Sequence, residues 1–303
     1  MDNVNKIILW IILPFLFLLY FSYLIFDYYQ SSNNGAREIV NQHKNNTLHN
    51  SNINSVILGG SNAFFGLSAE MLTKESGDNW LNLSIINEGY SDKNYWKFIN
   101  NTLSKEQRLS VKTVVYSSIV PFQTQINFQN RFDSSIQIDG SFGFDILPKM
   151  SLAAYLKKHV VNNENNENKF PIPNSFGDFD FDKFKCTLPD EKDNYPADID
   201  NKELSIWLKN QLNELKQYFP KSTIYFIFPS QFYNKDYDKN KIKKLSKFTD
   251  KYIDKYNKDY ESKFIFINQP EIPNKNLICD DFHHPNKAGR IWRTNNLINH
   301  IYK

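Results

Sequence analysis

Short continuous apolar runs alternate with longer amphipathic ones through most of the chain. Ser55 to Leu58 (SVIL) predicts a buried strand, closed by Gly59-Gly60-Ser61 and followed by a helix-like stretch to Lys74. Trp80 to Ile85 (WLNLSI) predicts a second strand, Asn94 to Leu103 a helix, and Thr113 to Ile119 (TVVYSSI) a third strand. An amphipathic helix over Lys202 to Tyr218 leads into a fourth strand at Ser222 to Phe228 (STIYFIF). A Lys-rich helix over 239–256 precedes a fifth at Lys263 to Ile267 (KFIFI). Apolar strands separated by helices mean a parallel sheet covered on both faces. The expected fold class is α/β, a three-layer α/β/α sandwich.

The stretch from about 122 to 200 breaks this rhythm. It holds Phe122 to Phe144, a helix pattern near Leu147 to Val161, and the tract Asn162 to Asn168 (NNENNEN), which reads as exposed. An excursion of this length at the carboxyl end of a strand suits a lid or substrate wall.

A different pattern occupies the N-terminus. Ile7 to Phe26 (IILWIILPFLFLLYFSYLIF) carries no charge. A helix of about 20 apolar residues crosses a bilayer core of about 30 Å. No small-x-small cleavage site follows, so residues 7–27 predict an uncleaved transmembrane signal anchor rather than a signal peptide. Lys6 precedes the run and Asp27 follows it, which puts residues 1–6 in the cytoplasm and the body on the exported, periplasmic side of the inner membrane. The polar, Asn-rich segment 28–52 reads as a linker, and 53–303 as one domain with its insertion.

Composition narrows the function classes. Lys+Arg 36 against Asp+Glu 33 gives a net charge of +3, which argues against a nucleic-acid binder. The Lys241, Lys244, Lys247 and Lys251 stripe reads as a solvated face. Aromatic residues are 16% of the chain, enough for a large core, so wholesale disorder is excluded. Cys186 and Cys279 are the only cysteines. In an oxidising compartment they would bridge the insertion to the segment around Asp281; in a cytoplasmic body they would be separate thiols.

Two segments carry candidate chemistry. Ser61 lies directly after a strand and at a helix start, where a hydroxyl projects from a tight turn and a backbone N–H sits at a positive helix end. The plainer alternative is an N-cap serine. Near the other end runs Cys279-Asp280-Asp281-Phe282-His283-His284-Pro285-Asn286-Lys287-Ala288-Gly289. Of six histidines, only His283 and His284 have carboxylates within four positions. An Asp three residues before a His can hold its imidazole in the tautomer that accepts a serine proton. Asp281 with His284 and Asp280 with His283 share that spacing. Pro285 keeps the residue before it extended, which favours His284. The alternative is a surface turn capping the following helix. Zinc is disfavoured, because adjacent histidines diverge and no thiolate or H-E-x-x-H partner exists; no metal or cofactor is expected. The scarce glycines Gly59, Gly60, Gly66, Gly89 and Gly289 fall in or beside these segments.

The pattern resembles the SGNH/GDSL hydrolase superfamily, in particular membrane-anchored members associated with cell-envelope polysaccharide acylation. Gly60-Ser61-Asn62 with Gly66 resembles its first block, and Asn82-Leu83-Ser84 leading to Gly89 its second. Asp281-Phe282-His283-His284 with Pro285, Asn286 and Gly289 resembles its last. The likeness covers about 54–120 and 220–300. Gly60 replaces the usual Asp of G-D-S. No G-x-N-D follows the third strand, where the chain reads Tyr116-Ser117-Ser118-Ile119-Val120-Pro121.

The resemblance implies an SGNH/flavodoxin-like fold. It further implies Ser61 as nucleophile, His284 as proton relay and Asp281 as its orienter. Oxyanion donors would be the Ser61 and Gly89 backbone N–H groups, with a Ser117 or Ser118 hydroxyl, Ser118 foremost, in place of the asparagine. The implied activity is a serine esterase or O-acyltransferase acting on acyl, foremost acetyl, esters of envelope carbohydrate, with a membrane acyltransferase as a partner. A membrane-associated lipase and a non-catalytic polysaccharide-binding or assembly protein on a degenerate fold are the alternatives.

Overall fold

The computed structural model describes residues 52–85, 93–118, 173–183, 201–232, 239–279 and 282–303, together with Leu18, Tyr20, Ser22, Cys186 and Leu188. Five parallel strands form one sheet in the order β2-β1-β3-β4-β5. They are β1 (Ser55–Gly59), β2 (Trp80–Asn82), β3 (Thr113–Ser117), β4 (Thr223–Ile227) and β5 (Phe264–Ile267).

Strand side chains alternate between two apolar layers, as the pleat dictates. Val56, Leu58, Val114, Tyr116, Ile224 and Phe226 face helices α3 (Lys93–Thr102), α5 (Asn201–Tyr218) and α6 (Lys239–Tyr260). Ile57, Val115, Ile227 and Ile267 face α1 (Ser61–Gly66), α2 (Ala69–Ser76) and α7 (Lys287–Tyr302). Each fully buried aliphatic side chain contributes about 2 kcal/mol, so every strand is held from both sides. Helix α5 buries Leu204, Trp207, Leu208, Gln211, Leu212 and Leu215, a stripe at helical spacing. Its one polar member, Gln211, accepts a hydrogen bond from Tyr116 Oη at 2.9 Å. This is the parallel, doubly covered sheet that the apolar pattern predicts.

The structure revises several boundaries. The stretch from Ser61 is two helices, parted by extended Leu67 and Ser68. Asp178 causes the break: its carboxylate accepts from Ser68 Oγ (2.8 Å), Ala69 N (2.8 Å) and Glu70 N (3.1 Å), so α2 starts afresh on it. The β2 ladder ends at Asn82, whose side-chain oxygen accepts from Ser84 N at 3.0 Å and turns the chain. Helix α4 (Lys105–Ser110) was not expected; a Ser104–Gln107 capping box starts it. Helix α7 begins at Lys287, two residues beyond Pro285. Lys244, Lys247 and Lys251 are exposed.

The linker 28–51, the segment 119–172 with its helix pattern and NNENNEN tract, and residues 191–200 lie outside the described residues. So does the anchor segment apart from Leu18, Tyr20 and Ser22, which are helical. Among the described residues, no helix is long and apolar enough to cross a membrane.

Strand order reverses between β1 and β3, since β1 is followed by β2 on one side and β3 on the other. In an open α/β sheet the crevice at the carboxyl ends of such a pair is where ligands bind. Gly59 and Ser117 stand level across that pair.

Candidate active site

The Ser61 turn grows from the end of the central strand. Gly59 has φ 142°, and a Cβ on it would lie 2.3 Å from the Ser117 carbonyl oxygen. Only glycine lets β1 leave the sheet this close to β3. Gly59 N donates to Tyr95 Oη at 3.0 Å, while Gly60 O receives the N–H groups of Ala63 and Phe64, each at 3.0 Å. The N-cap of α1 is therefore Gly60, and Ser61 is its first helical residue. This removes the N-cap alternative: the Ser61 hydroxyl is left to point elsewhere.

It points at His284. Ser61 Oγ and His284 Nε2 are 2.8 Å apart, across 223 residues of sequence. Both residues are half-buried. Phe65, one turn along α1 from Ser61 and so on the same face, lies with its ring 4.8 Å from the His284 ring. The His283 ring is 4.2 Å from that of His284 and is buried.

The loop carrying His284 is held by its own backbone. Cys279 N donates to His284 O at 2.7 Å, and Ile278 and Pro285 form an antiparallel bridge. Asn286 Nδ2 donates to Asn276 O (2.7 Å) and Ile278 O (3.2 Å), and its Oδ1 caps α7 by accepting from Gly289 N (3.0 Å). Phe282 packs with Ile272 and Ile278 beneath it. Cys186 and Cys279 are joined in a disulfide, Cα atoms 4.8 Å apart, which ties the returning insertion to this loop.

The insertion also walls the site. Phe179 and Phe181 pack against Phe64 and Phe65. Arg290 lies over the Phe181 ring at 4.7 Å and donates to Phe179 O at 2.7 Å. Burial pulls the Arg290 guanidinium below its usual range, against the opposing pull of Asp178, Glu70, Asp180 and Asp182.

Ser117 Oγ donates to Asn62 Oδ1 at 2.5 Å and accepts from Arg293 Nη2 at 2.8 Å. It is committed to the interior behind the Ser61 turn. Ser118, the next residue, is buried, and its backbone N donates to Ile227 O at 3.4 Å. Gly89, Asp280 and Asp281 lie outside the described residues. Among the described residues there is no group of three or more His, Cys, Asp or Glu that could hold a metal ion.

No family model and no curated protein matches the chain. Solved structures do. A family two carbohydrate esterase from Clostridium thermocellum in complex with cellohexaose is 10% identical, covering 82% of this chain and 63% of its own, at a TM-score of 0.44. The periplasmic domain of a lipopolysaccharide acetyltransferase from Salmonella ser. Paratyphi A is 13% identical over 85% of this chain and 86% of its own, at 0.38. A putative GDSL-like lipase from Parabacteroides merdae is 10% identical over 82% and 95%, at 0.35. The chain spans 63% of the length of the first carbohydrate esterases it matches. Likeness at this level decides nothing about chemistry, which rests on the geometry of Ser61 and His284.

Two supporting residues escape the sequence patterns. Asp178 sits in an irregular segment with no periodic signal. Arg293 is fully buried in α7, four residues after Gly289 and four before Leu297 on its inner face. A charge in the middle of a buried helical stripe is a legible anomaly.

Proposed function

We propose that the chain is a serine esterase or O-acyltransferase of the SGNH type, with Ser61 as nucleophile. The observation that carries this is the 2.8 Å approach of Ser61 Oγ to His284 Nε2 at the crevice between β1 and β3. His284 takes the Ser61 proton as the oxygen attacks an ester carbonyl, then returns it to the departing alcohol, leaving an acyl-enzyme on Ser61. Asp281, three residues upstream, orients the other ring nitrogen of His284. Backbone N–H groups of Ser61 and Gly89, with the Ser118 hydroxyl, receive the charge that develops on the carbonyl oxygen. Water or a sugar hydroxyl then accepts the acyl group.

The substrate class, acyl and foremost acetyl esters of cell-envelope carbohydrate, is what the motif resemblance implies. Export is supported by the Cys186–Cys279 bridge, because disulfides persist in oxidising compartments. Residues 7–27 would then anchor the body to the outer face of the cytoplasmic membrane, within reach of a membrane acyltransferase that supplies acyl groups.

The test is hydrolysis of an aryl acetate by the full chain in detergent, with and without a serine-directed phosphonate. Turnover that the phosphonate stops, with the label on Ser61, supports the proposal. Undiminished turnover in Ser61→Ala would remove it.

A further inference from the structure

Behind the Ser61 turn lies a buried cation. Arg293 is 0% exposed and is among the largest side chains fully enclosed in the described residues. Its Nη1 donates to Asn62 O at 2.6 Å, on the residue next to the nucleophile. Its Nη2 donates to Ser117 Oγ at 2.8 Å and to Phe228 O at 3.4 Å. One planar fork thus joins α7 to the turn after β1, to the last residue of β3 and to the residue following β4. Ser117 closes the ring by donating to Asn62 Oδ1 at 2.5 Å.

The surroundings are shaped for this group. A Cβ on Gly66 would fall 2.4 Å from Arg293 Nη1, so the end of α1 is kept bare to admit the guanidinium. The neighbouring Thr294 Oγ1 accepts from Ser68 N at 3.1 Å, gripping the chain just beyond α1. Helix α1 has only six residues and no side-chain cap, too few to fix its own orientation. What orients Ser61 has to come from outside it.

We propose that Arg293 is the positioning residue of this site. It holds the Ser61–Asn62 turn against the ends of β3 and β4 and so sets the angle at which Ser61 Oγ meets His284 Nε2. The inference rests on Ser61 being the nucleophile. Lysine cannot replace the fork: a single ammonium cannot meet Asn62 O and Ser117 Oγ with two parallel donors. A displacement of about 1 Å in a reacting group can lower a rate about 100-fold, so the effect falls on kcat rather than on substrate binding.

The experiment compares Arg293→Lys, Arg293→Met and Ser117→Ala with the wild-type full chain. Aryl acetate kinetics are corrected for the fraction of protein that the phosphonate titrates, and melting temperatures are taken alongside. Ser117→Ala should lower kcat about 10-fold and Arg293→Lys about 100-fold, with KM within about 2-fold of wild type. A wild-type kcat per titrated site in folded Arg293→Lys or Ser117→Ala, with only the melting temperature lowered, overturns the inference while leaving the nucleophile assignment standing. If the Arg293 variants do not fold, Ser117→Ala decides alone. A wild-type chain that neither turns over nor labels at Ser61 overturns the proposed function, and the inference falls with it.

Discussion

The two halves of the site are supported in opposite ways. The Ser61 turn is held by residues distant in sequence: Tyr95 by way of Gly59, Ser117 and Arg293 by way of Asn62, and Asp178 just beyond α1. The His284 loop is held mostly by residues between Ile272 and Gly289, through short backbone bonds and the Asn286 side chain. Its distant ties among the described residues include the disulfide to Cys186 and the bond from Phe232 N to Phe282 O at 3.0 Å. A nucleophile built on a central strand inherits the rigidity of the sheet. A base carried on a loop at the rim needs its own clamp.

The comparison breaks most visibly at the reacting atoms. Removing either Ser61 or His284 should lower kcat for ester turnover by about 10⁴-fold or more, with little change in melting temperature. His283→Ala, by contrast, removes a buried ring that packs beside His284 and should act on KM or stability, with kcat changed less than about 10-fold. Steady-state kinetics of the three variants separate these outcomes. A dead His283→Ala beside an active His284→Ala would shift the proposed pair to Asp280 and His283.

The same asymmetry explains what the sequence discloses. The strands are legible because each is a continuous apolar run, and the two segments that meet at 2.8 Å are those marked by G-S-N and D-x-x-H-P-N. The break at Leu67 and Ser68 is not legible, because its cause, Asp178, lies 110 residues from Ser68. Helix α4 is hidden because it buries no residue and so shows no periodic face. The role of Ser117 is likewise invisible locally. Beside Ser118 it looks like an oxyanion donor, and only the buried Arg293 shows why its hydroxyl turns inward.

Asp178 tests the distant support of the nucleophile half. Its carboxylate receives Ser68 Oγ, Ala69 N, Glu70 N and, at 3.2 Å, Asn82 Nδ2, all in a site 1% exposed. Asp178→Ala strips four donors of their acceptor and should lower stability by about 4 kcal/mol, read by denaturant unfolding. A loss under about 1 kcal/mol would mean that α2 and the insertion are held by something else.

The disulfide tests the base half. It closes a loop of 93 residues, for which chain entropy allows a stabilisation of about 4.6 kcal/mol. Reduction, or Cys186→Ser, should lower the melting temperature and also lower kcat about 10-fold, because Cys279 N holds the His284 carbonyl. Cys186 also packs against the cluster of Phe64, Phe65, Phe179 and Phe181, so the loss reaches the wall of the site as well as the His284 loop. Full activity in a protein shown to be reduced would mean that the backbone clamp suffices alone.

The smallest effect expected is at Asn286, the polar centre of that clamp. Its side chain donates to two carbonyls of the 276–278 segment and accepts from Gly289 N as the N-cap of α7. Replacing an N-cap asparagine by alanine costs about 1 kcal/mol, and the loss of two further bonds at a half-exposed position adds about as much. Asn286→Asp keeps the cap but offers no donor to Asn276 O and Ile278 O. The two variants therefore divide the residue's work: Asn286→Asp should retain most of the helix stability yet share any loss of kcat, since the donors, not the cap, fix the loop that carries His284. Thermal unfolding and kcat measured on both variants check this. If Asn286→Asp equals wild type in both, the loop is held by the Cys279–His284 and Ile278–Pro285 backbone contacts without help from this side chain.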